Sequence, residues 1–260
     1  MANGSKKIAW IKTDETTYSV SIPIDSSRSA IVELIERIYH AESLRPVSRA
    51  RTILRERIFS AGEPTMVERE TVKVAAKRIS VAEAADIVSI ELPETPSLPS
   101  FKIEGLVRGK VLAPSEISVE LERLKRQTSH ANEKWTSDRA VAAILVDENG
   151  QVIETAWNTN AVIRTRHAEA NLCTVLREAG QSIPAGSTLY VSLKPCRMCA
   201  AKIWDQAEDP ARLKIVYFEN DPGRLAQGTI LDSDSPARLR YLGKAHPLLS
   251  AKISALRSGV

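Results

Sequence analysis

Hydrophobic and polar positions change their period several times along the chain, and each change marks an element. Residues 8–12 and 18–22 are short apolar-rich runs split by Asp14-Glu15-Thr16-Thr17, the pattern of a β-hairpin. Asp25, Ser26 and Ser27 then offer capping oxygens ahead of Ile31, Leu34, Ile35 and Ile38, whose three- and four-residue steps predict a helix. Further helices are predicted over residues 47–59 and 66–85, and a strand over 87–92. Residues 92–101 break the pattern. Pro93, Pro96 and Pro99 remove backbone donors and keep their preceding residues extended, so this stretch reads as a connector.

Beyond it, Pro114 and Ser115 open a helix running to residue 127, with Ile117, Val119, Leu121 and Leu124 as its apolar members. Residues 140–146 form a continuous apolar strand, Glu148-Asn149-Gly150 is turn chemistry, and 152–157 is the antiparallel partner. A helix over 168–179, a strand over 188–192, a helix over 196–206 and a strand over 213–218 complete the series. Such alternation calls for parallel crossovers. The expected class is α/β, a three-layer α/β/α fold on a mixed sheet, preceded by a small α+β domain. The division is expected at the connector, with residues 1–110 as a unit to which the sequence assigns no chemistry and 113–260 as the second unit.

Composition narrows the class without naming an activity. With 260 residues, 43% apolar and 26% charged, the chain can bury a core, and disorder, collagen and coiled-coil rod are excluded as overall descriptions. The longest uncharged apolar run is the seven residues 140–146, too short to span a membrane. Three cysteines cannot all pair within the chain, so reduced thiols or metal ligands are expected, in a cytoplasmic setting. Net charge is +4, a mild bias that permits an anionic partner. Each half contributes equally to it.

Three short pieces carry chemistry: Asn158 after the second strand of the hairpin, His167-Ala168-Glu169 at one helix start, and Pro195-Cys196-Arg197-Met198-Cys199 at the next. Cys196 and Cys199, at i and i+3, project from one side of a helical turn and can share one tetrahedral ion. A helix N-terminus favours the thiolates. His167 can supply a third ligand and leave a fourth position open, the arrangement of a catalytic zinc site. Glu169 does not share the direction of His167, so it can stand beside the metal as an acid/base. Cys173 lies mid-helix among apolar neighbours and reads as a buried, inert thiol.

This pattern resembles the cytidine-deaminase-like superfamily, closest to its tRNA adenosine deaminase branch. Ala156-Trp157-Asn158 is similar to the branch's small-Trp-Asn segment, TLYVSLKPCRMC from Thr188 to Cys199 to its strand and zinc helix, and Ala200-Ala201 to that helix's small-residue face. Asp221-Pro222 and Gly228-Thr229-Ile230-Leu231-Asp232 resemble the loop and segment beyond it. The likeness runs from near Ser115 to the C-terminus. It implies a five-stranded mixed sheet, with the last strand near 238–242 and the last helix near 247–256. It also implies Zn2+ on His167, Cys196 and Cys199, Glu169 as proton shuttle, and substrate contact by Asn158, with Ala168, Pro195 and Arg197 beside it. Zinc-bound hydroxide would attack the amino-bearing carbon of the base. The branch pairs through its zinc-bearing helices, so a homodimer is expected unless the added N-terminal unit covers that surface. Two departures, Lys194 where the branch has Glu and Gly223-Arg224 in place of a Lys-containing loop, leave the identity of the base open.

The leading expectation is a nucleobase deaminase, adenine to hypoxanthine or cytosine to uracil, acting within RNA or single-stranded DNA. Arg164, Arg166, Lys194, Arg197 and Arg224 surround the inferred pocket mouth and suit an anionic backbone. Arg45, Arg49, Arg51, Arg55 and Arg57 form a second cluster, in which Arg51 and Arg55 would share a helix face. Two alternatives stand: a deaminase of a free base, nucleoside or nucleotide such as guanine or cytosine, and a non-catalytic zinc-containing module that binds nucleic acid or protein.

Overall fold

The computed structural model describes residues 6–84, 87–128 and 139–232. The first alternating runs pair as an antiparallel hairpin of β1 (Lys6–Lys12) and β2 (Thr17–Pro23), with Trp10 opposite Ser19. β1 also pairs antiparallel with β3 (Arg57–Ser60), β3 parallel with β4 (Arg78–Val81), and β2 parallel with β5 (Ile90–Glu91). The sheet order is β4-β3-β1-β2-β5. Helix α1 (Ala30–Ser43) starts at Ser29, whose Oγ accepts from the Val32 amide at 3.1 Å, and its Ile31, Leu34, Ile35 and Ile38 are buried over β1 and β2.

Two predicted helices are shortened. Residues 47–59 hold only the four-residue α2 (Ala50–Ile53) before the chain extends as β3, and the helix predicted over 66–85 ends early as α3 (Met66–Ala75), followed by β4. The cause is tertiary. Ile58 lies opposite Ile11 on one side and Ile79 on the other, so ladder partners distant in sequence outweigh local helical preference. The shared face expected of Arg51 and Arg55 dissolves with the helix. Arg45 pairs with Glu42 at 3.3 Å, Arg49 with Glu15 at 3.7 Å, and Arg57 donates to Ser80 Oγ at 2.6 Å.

In the second unit β6 (Ala142–Val146) and β7 (Val152–Trp157) pair antiparallel through a turn at Gly150, whose φ of 78° suits glycine. β8 (Thr188–Leu193) joins β6 antiparallel and β9 (Lys214–Glu219) joins β8 parallel, giving the order β7-β6-β8-β9. All five residues of β6 are buried, so other layers cover both faces at the sheet's centre. Helix α4 (Pro114–Lys125) packs on β6 and β8, α5 (Ala168–Glu178) on β6 and β7, and α6 (Arg197–Gln206) on α5. The class is α/β. Four strands stand among the described residues where five are expected; the expected strand near 238–242 and helix near 247–256 fall outside them.

The connector is fastened at both ends. Leu92 belongs to the first core, while Phe101 stands edge-on to Trp157 at 4.9 Å and its carbonyl accepts from Thr155 Oγ1 at 2.7 Å. The two cores also interlock. Ile163, from the loop between β7 and α5, is buried in the N-terminal core. Helix α3 lies along α6, where Met66 packs on the cluster of Ala200, Trp204 and Ile230, and Val74 on that of Ala170, Met198 and Cys199. No described helix is long and apolar enough to cross a membrane.

Candidate active site

Two helix starts converge. His167 is the N-cap residue of α5 and Cys196 that of α6, both with extended backbone (ψ 160° and 167°), so each side chain projects ahead of its helix. His167 Nδ1 lies 3.6 Å from Cys196 Sγ and 3.5 Å from Cys199 Sγ, and one ligand atom from each residue fits within 4.8 Å of the others. Zinc bonds of about 2.05 Å to nitrogen and 2.3 Å to sulfur, at the tetrahedral angle, put N and S about 3.5 Å apart. Both observed edges fit that tetrahedron. Cys199 is fully buried while His167 and Cys196 are partly exposed, so the group is open on one side.

The electrostatics suit such a group. Hydrogen bonding from Cys199 and from His167 holds the Cys196 thiol well below its ordinary range against the cost of burial, and the start of α6 adds to the effect. Burial pulls the His167 pKa down, but the neighbouring Cys196 more than offsets it and the net direction is up. Glu169, in the first turn of α5 and 3% exposed, is pushed up to about 7, first by burial and then by the negative charge of Cys196. Burial pushes the Cys173 thiol up to about 12, in keeping with an inert cysteine.

Asn158, also buried, uses its amide at both ends. Its Nδ2 donates to the Arg139 carbonyl at 2.8 Å and its Oδ1 accepts from the Ala168 amide at 2.7 Å, fixing the start of α5 beside the ligands. Ala168 is fully buried, Pro195 is buried beside Cys196, and Arg197 reaches the Gln227 carbonyl at 3.3 Å and Glu70 of α3 at 3.8 Å. The inferred basic rim is only partly assembled. Arg166 turns into the N-terminal unit to meet Glu36 at 3.5 Å, Lys194 pairs with Asp232 at 3.0 Å, and Arg224 is exposed on the short turn Arg224–Ala226.

Sequence reasoning missed the braces of the loop that carries His167. Asn171 Nδ2 reaches the Trp157 carbonyl at 2.8 Å, Thr159 Oγ1 at 3.0 Å and the Arg166 carbonyl at 3.3 Å. Thr165 Oγ1 donates to Glu36 at 2.7 Å, and Ile163 sits in the other unit's core. Asparagine in a helix has no local signature for this role. Contacts across some 130 positions have none either.

A helix-capping His, a buried Glu two residues on, and a Cys pair opening the next helix are the arrangement seen at zinc sites of nucleobase deaminases. Comparison with known proteins found the following likenesses. Residues 132–239 match the family model of Bd3614-like deaminases. A stretch of 67 residues is 39% identical to the tRNA-specific adenosine deaminase of Haemophilus influenzae, covering 24% of this chain and 38% of that relative. Similar solved structures include one from work on A-to-I editing by tRNA:A34 deaminases (28% identity, TM-score 0.35, covering 46% of this chain and 91% of that one). Another is a dCMP deaminase from the cyanophage S-TIM5 (22%, 0.33, 51% and 95%). A third is a guanine deaminase from Nitrosomonas europaea (21%, 0.34, 47% and 86%). The family-model match covers less than half of the chain, and the stretch similar to the curated relative spans little more than a third of that relative's length.

Proposed function

We propose that this protein is a zinc-dependent hydrolytic deaminase of a nucleobase, converting adenine to hypoxanthine or cytosine to uracil within RNA or single-stranded DNA. The observation that carries the reading is the His167-Cys196-Cys199 group with Glu169 buried beside it. Zinc held by those three residues would supply a Lewis acid that lowers the pKa of water to about 7. Glu169 does the proton work. With a pKa of about 7, it can take a proton from the nucleophile, give it to the ring nitrogen next to the reacting carbon, and assist departure of ammonia. Asn158 and Asn171 hold the start of α5 so that His167 and Glu169 keep their places.

The preference for a polynucleotide is supported by the tRNA-specific relative, and Arg224, exposed on a turn near Gln227, whose carbonyl meets Arg197, suits a phosphate backbone. The test is Glu169→Ala. It should keep metal and fold while ammonia release from a base-containing substrate falls by at least about a hundredfold. Full activity in that variant overturns the assignment. Turnover of a free base or nucleoside at ordinary KM, with none on RNA or single-stranded DNA, would move the substrate to the small-molecule class.

A further inference from the structure

The sheet of the N-terminal unit has two faces of opposite character. Side chains alternate along a strand. Ala9, Ile11, Val20, Ile22 and Ile58 belong to the core under α1, and Val72 of α3 and Ile79 lie in the same cluster, so these helices sit on one side of the sheet. The alternate residues form the other side. There Trp10 of β1 pairs with Phe59 of β3, Phe59 with Ser80 of β4, and Trp10 with Ser19 of β2. Two residues along, Thr17 pairs with Lys12 and Arg57 with Arg78, and the β1–β3 ladder, continued past Ile11 opposite Ile58, sets Lys12 beside Arg57. Two neighbouring rows result: Ser19-Trp10-Phe59-Ser80 and Thr17-Lys12-Arg57-Arg78.

The second row sets three cations on adjacent strands, about 4.8 Å from one strand to the next. All three are exposed, and none has an ion-pair partner among the described residues. Arg57 donates to Ser80 Oγ at 2.6 Å, a neutral acceptor that leaves its charge uncompensated. Lys6 adds an exposed cation on the same face of β1. Among the strand residues of this sheet the one acid is Glu91 of β5, whose register position is opposite Ser19, across the sheet from β3 and β4. Like charges directly opposite one another destabilise a sheet, so the row carries a cost that an anionic partner would offset. The first row supplies aromatic surface. The rings of Trp10 and Phe59 stack with centroids 5.6 Å apart and planes 18° from parallel; Phe59 is half-buried, and Trp10, 9% exposed, backs it. The neighbour of Phe59 on its β4 side is the small Ser80, which leaves room for a flat ring to lie against Phe59. A face that offers an aromatic ring to a base and cations to the phosphates beside it suits a single strand of nucleic acid.

We propose that this face binds single-stranded RNA, with phosphates on Lys12, Arg57 and Arg78 and a base against Phe59. The hydroxyls of Thr17, Ser19 and Ser80 along the two rows favour ribose, whose 2′-OH they can meet. The binding stands apart from the proposed deamination, so the probe is oligouridylate, which has no amino group to lose. Fluorescein-labelled oligouridylate and oligothymidylate of about 12 nucleotides are titrated with the full-length chain and read by anisotropy. Oligouridylate should bind saturably with Kd of about 1–100 μM, and log Kd should rise by about 2 per decade of salt, as three phosphate contacts require. Arg57→Glu combined with Arg78→Glu should weaken binding about tenfold or more and flatten the salt dependence. Phe59→Ala should weaken it about fivefold or more with the salt dependence kept. Glu169→Ala, and Arg126→Glu at the exposed end of α4, should leave binding intact, so failure of the deaminase assignment would not touch this result. The proposal is overturned by no saturable binding, by unchanged affinity in the charge-reversal or the Phe59 variant, or by equal affinity for polyglutamate. Tighter binding of oligothymidylate overturns the choice of RNA.

Discussion

At the scale of single residues, the site depends on side chains whose ionisation is set by burial. Three cysteines with different environments should react in a fixed order. With metal bound none should be alkylated quickly; chelation should release Cys196 first, whereas Cys199, fully buried with its thiol pushed well above the ordinary range by burial, and Cys173, pushed up to about 12, should react only on unfolding. Mass mapping after timed iodoacetamide treatment checks this order. Glu169 gives a second expectation. Its folded pKa of about 7 lies above the ordinary 4.5, so the folded, metal-free chain holds a proton there that the unfolded chain has lost, and stability falls as pH rises between those values. Glu169→Gln should flatten that slope in urea titrations of the metal-free chain across the window. The convergence of His167, Cys196 and Cys199 was legible in the sequence because the His-x-Glu and Cys-x-x-Cys spacings are chemically restrictive. The bracing by Asn171 and Thr165 was not, because its partners come from separate elements and leave no spacing to read.

At the scale of elements, strong periodic segments were readable and segments decided by distant partners were not. Helix α1, the β6–β7 hairpin and the two helices that open at His167 and Cys196 stand where the pattern puts them, although α1 is capped by Ser29 and not by the Asp25, Ser26 or Ser27 that the sequence suggested. β3 and β4 were hidden inside predicted helices, since Ile58 and Ile79 become strand residues only once the β1 edge is in place. The loop between β7 and α5 shows how one element governs another. Ile163 anchors that loop in the N-terminal core, and the loop ends at His167. Ile163→Ala should cost about 2–5 kcal/mol in stability. It should also weaken Co2+ binding, read from the thiolate charge-transfer band, under conditions where circular dichroism shows the fold retained. Loss of stability with unchanged Co2+ affinity would show that the anchor does not position the ligand.

At the scale of the whole molecule, the N-terminal unit is built into the site's surroundings. Sequence reading assigned it no chemistry, yet α3 occupies the outer face of α6, Val74 packs behind Cys199, and Glu70 approaches Arg197. The homodimer implied by the family resemblance uses the zinc-bearing helices. Because α3 already packs along α6, sedimentation of the full chain is expected to give a single-chain mass of 28.6 kDa. A dimer mass would require a different pairing surface. The central claim, that this chain deaminates bases through Glu169 beside a His-Cys-Cys metal group, is tested most directly by sequencing cellular RNA and DNA after expression of the unaltered chain and of Glu169→Ala. The account expects adenine-to-inosine or cytosine-to-uracil changes with the unaltered chain alone. The same changes with both, or none with either while purified protein also releases no ammonia from free bases and nucleosides, would contradict it.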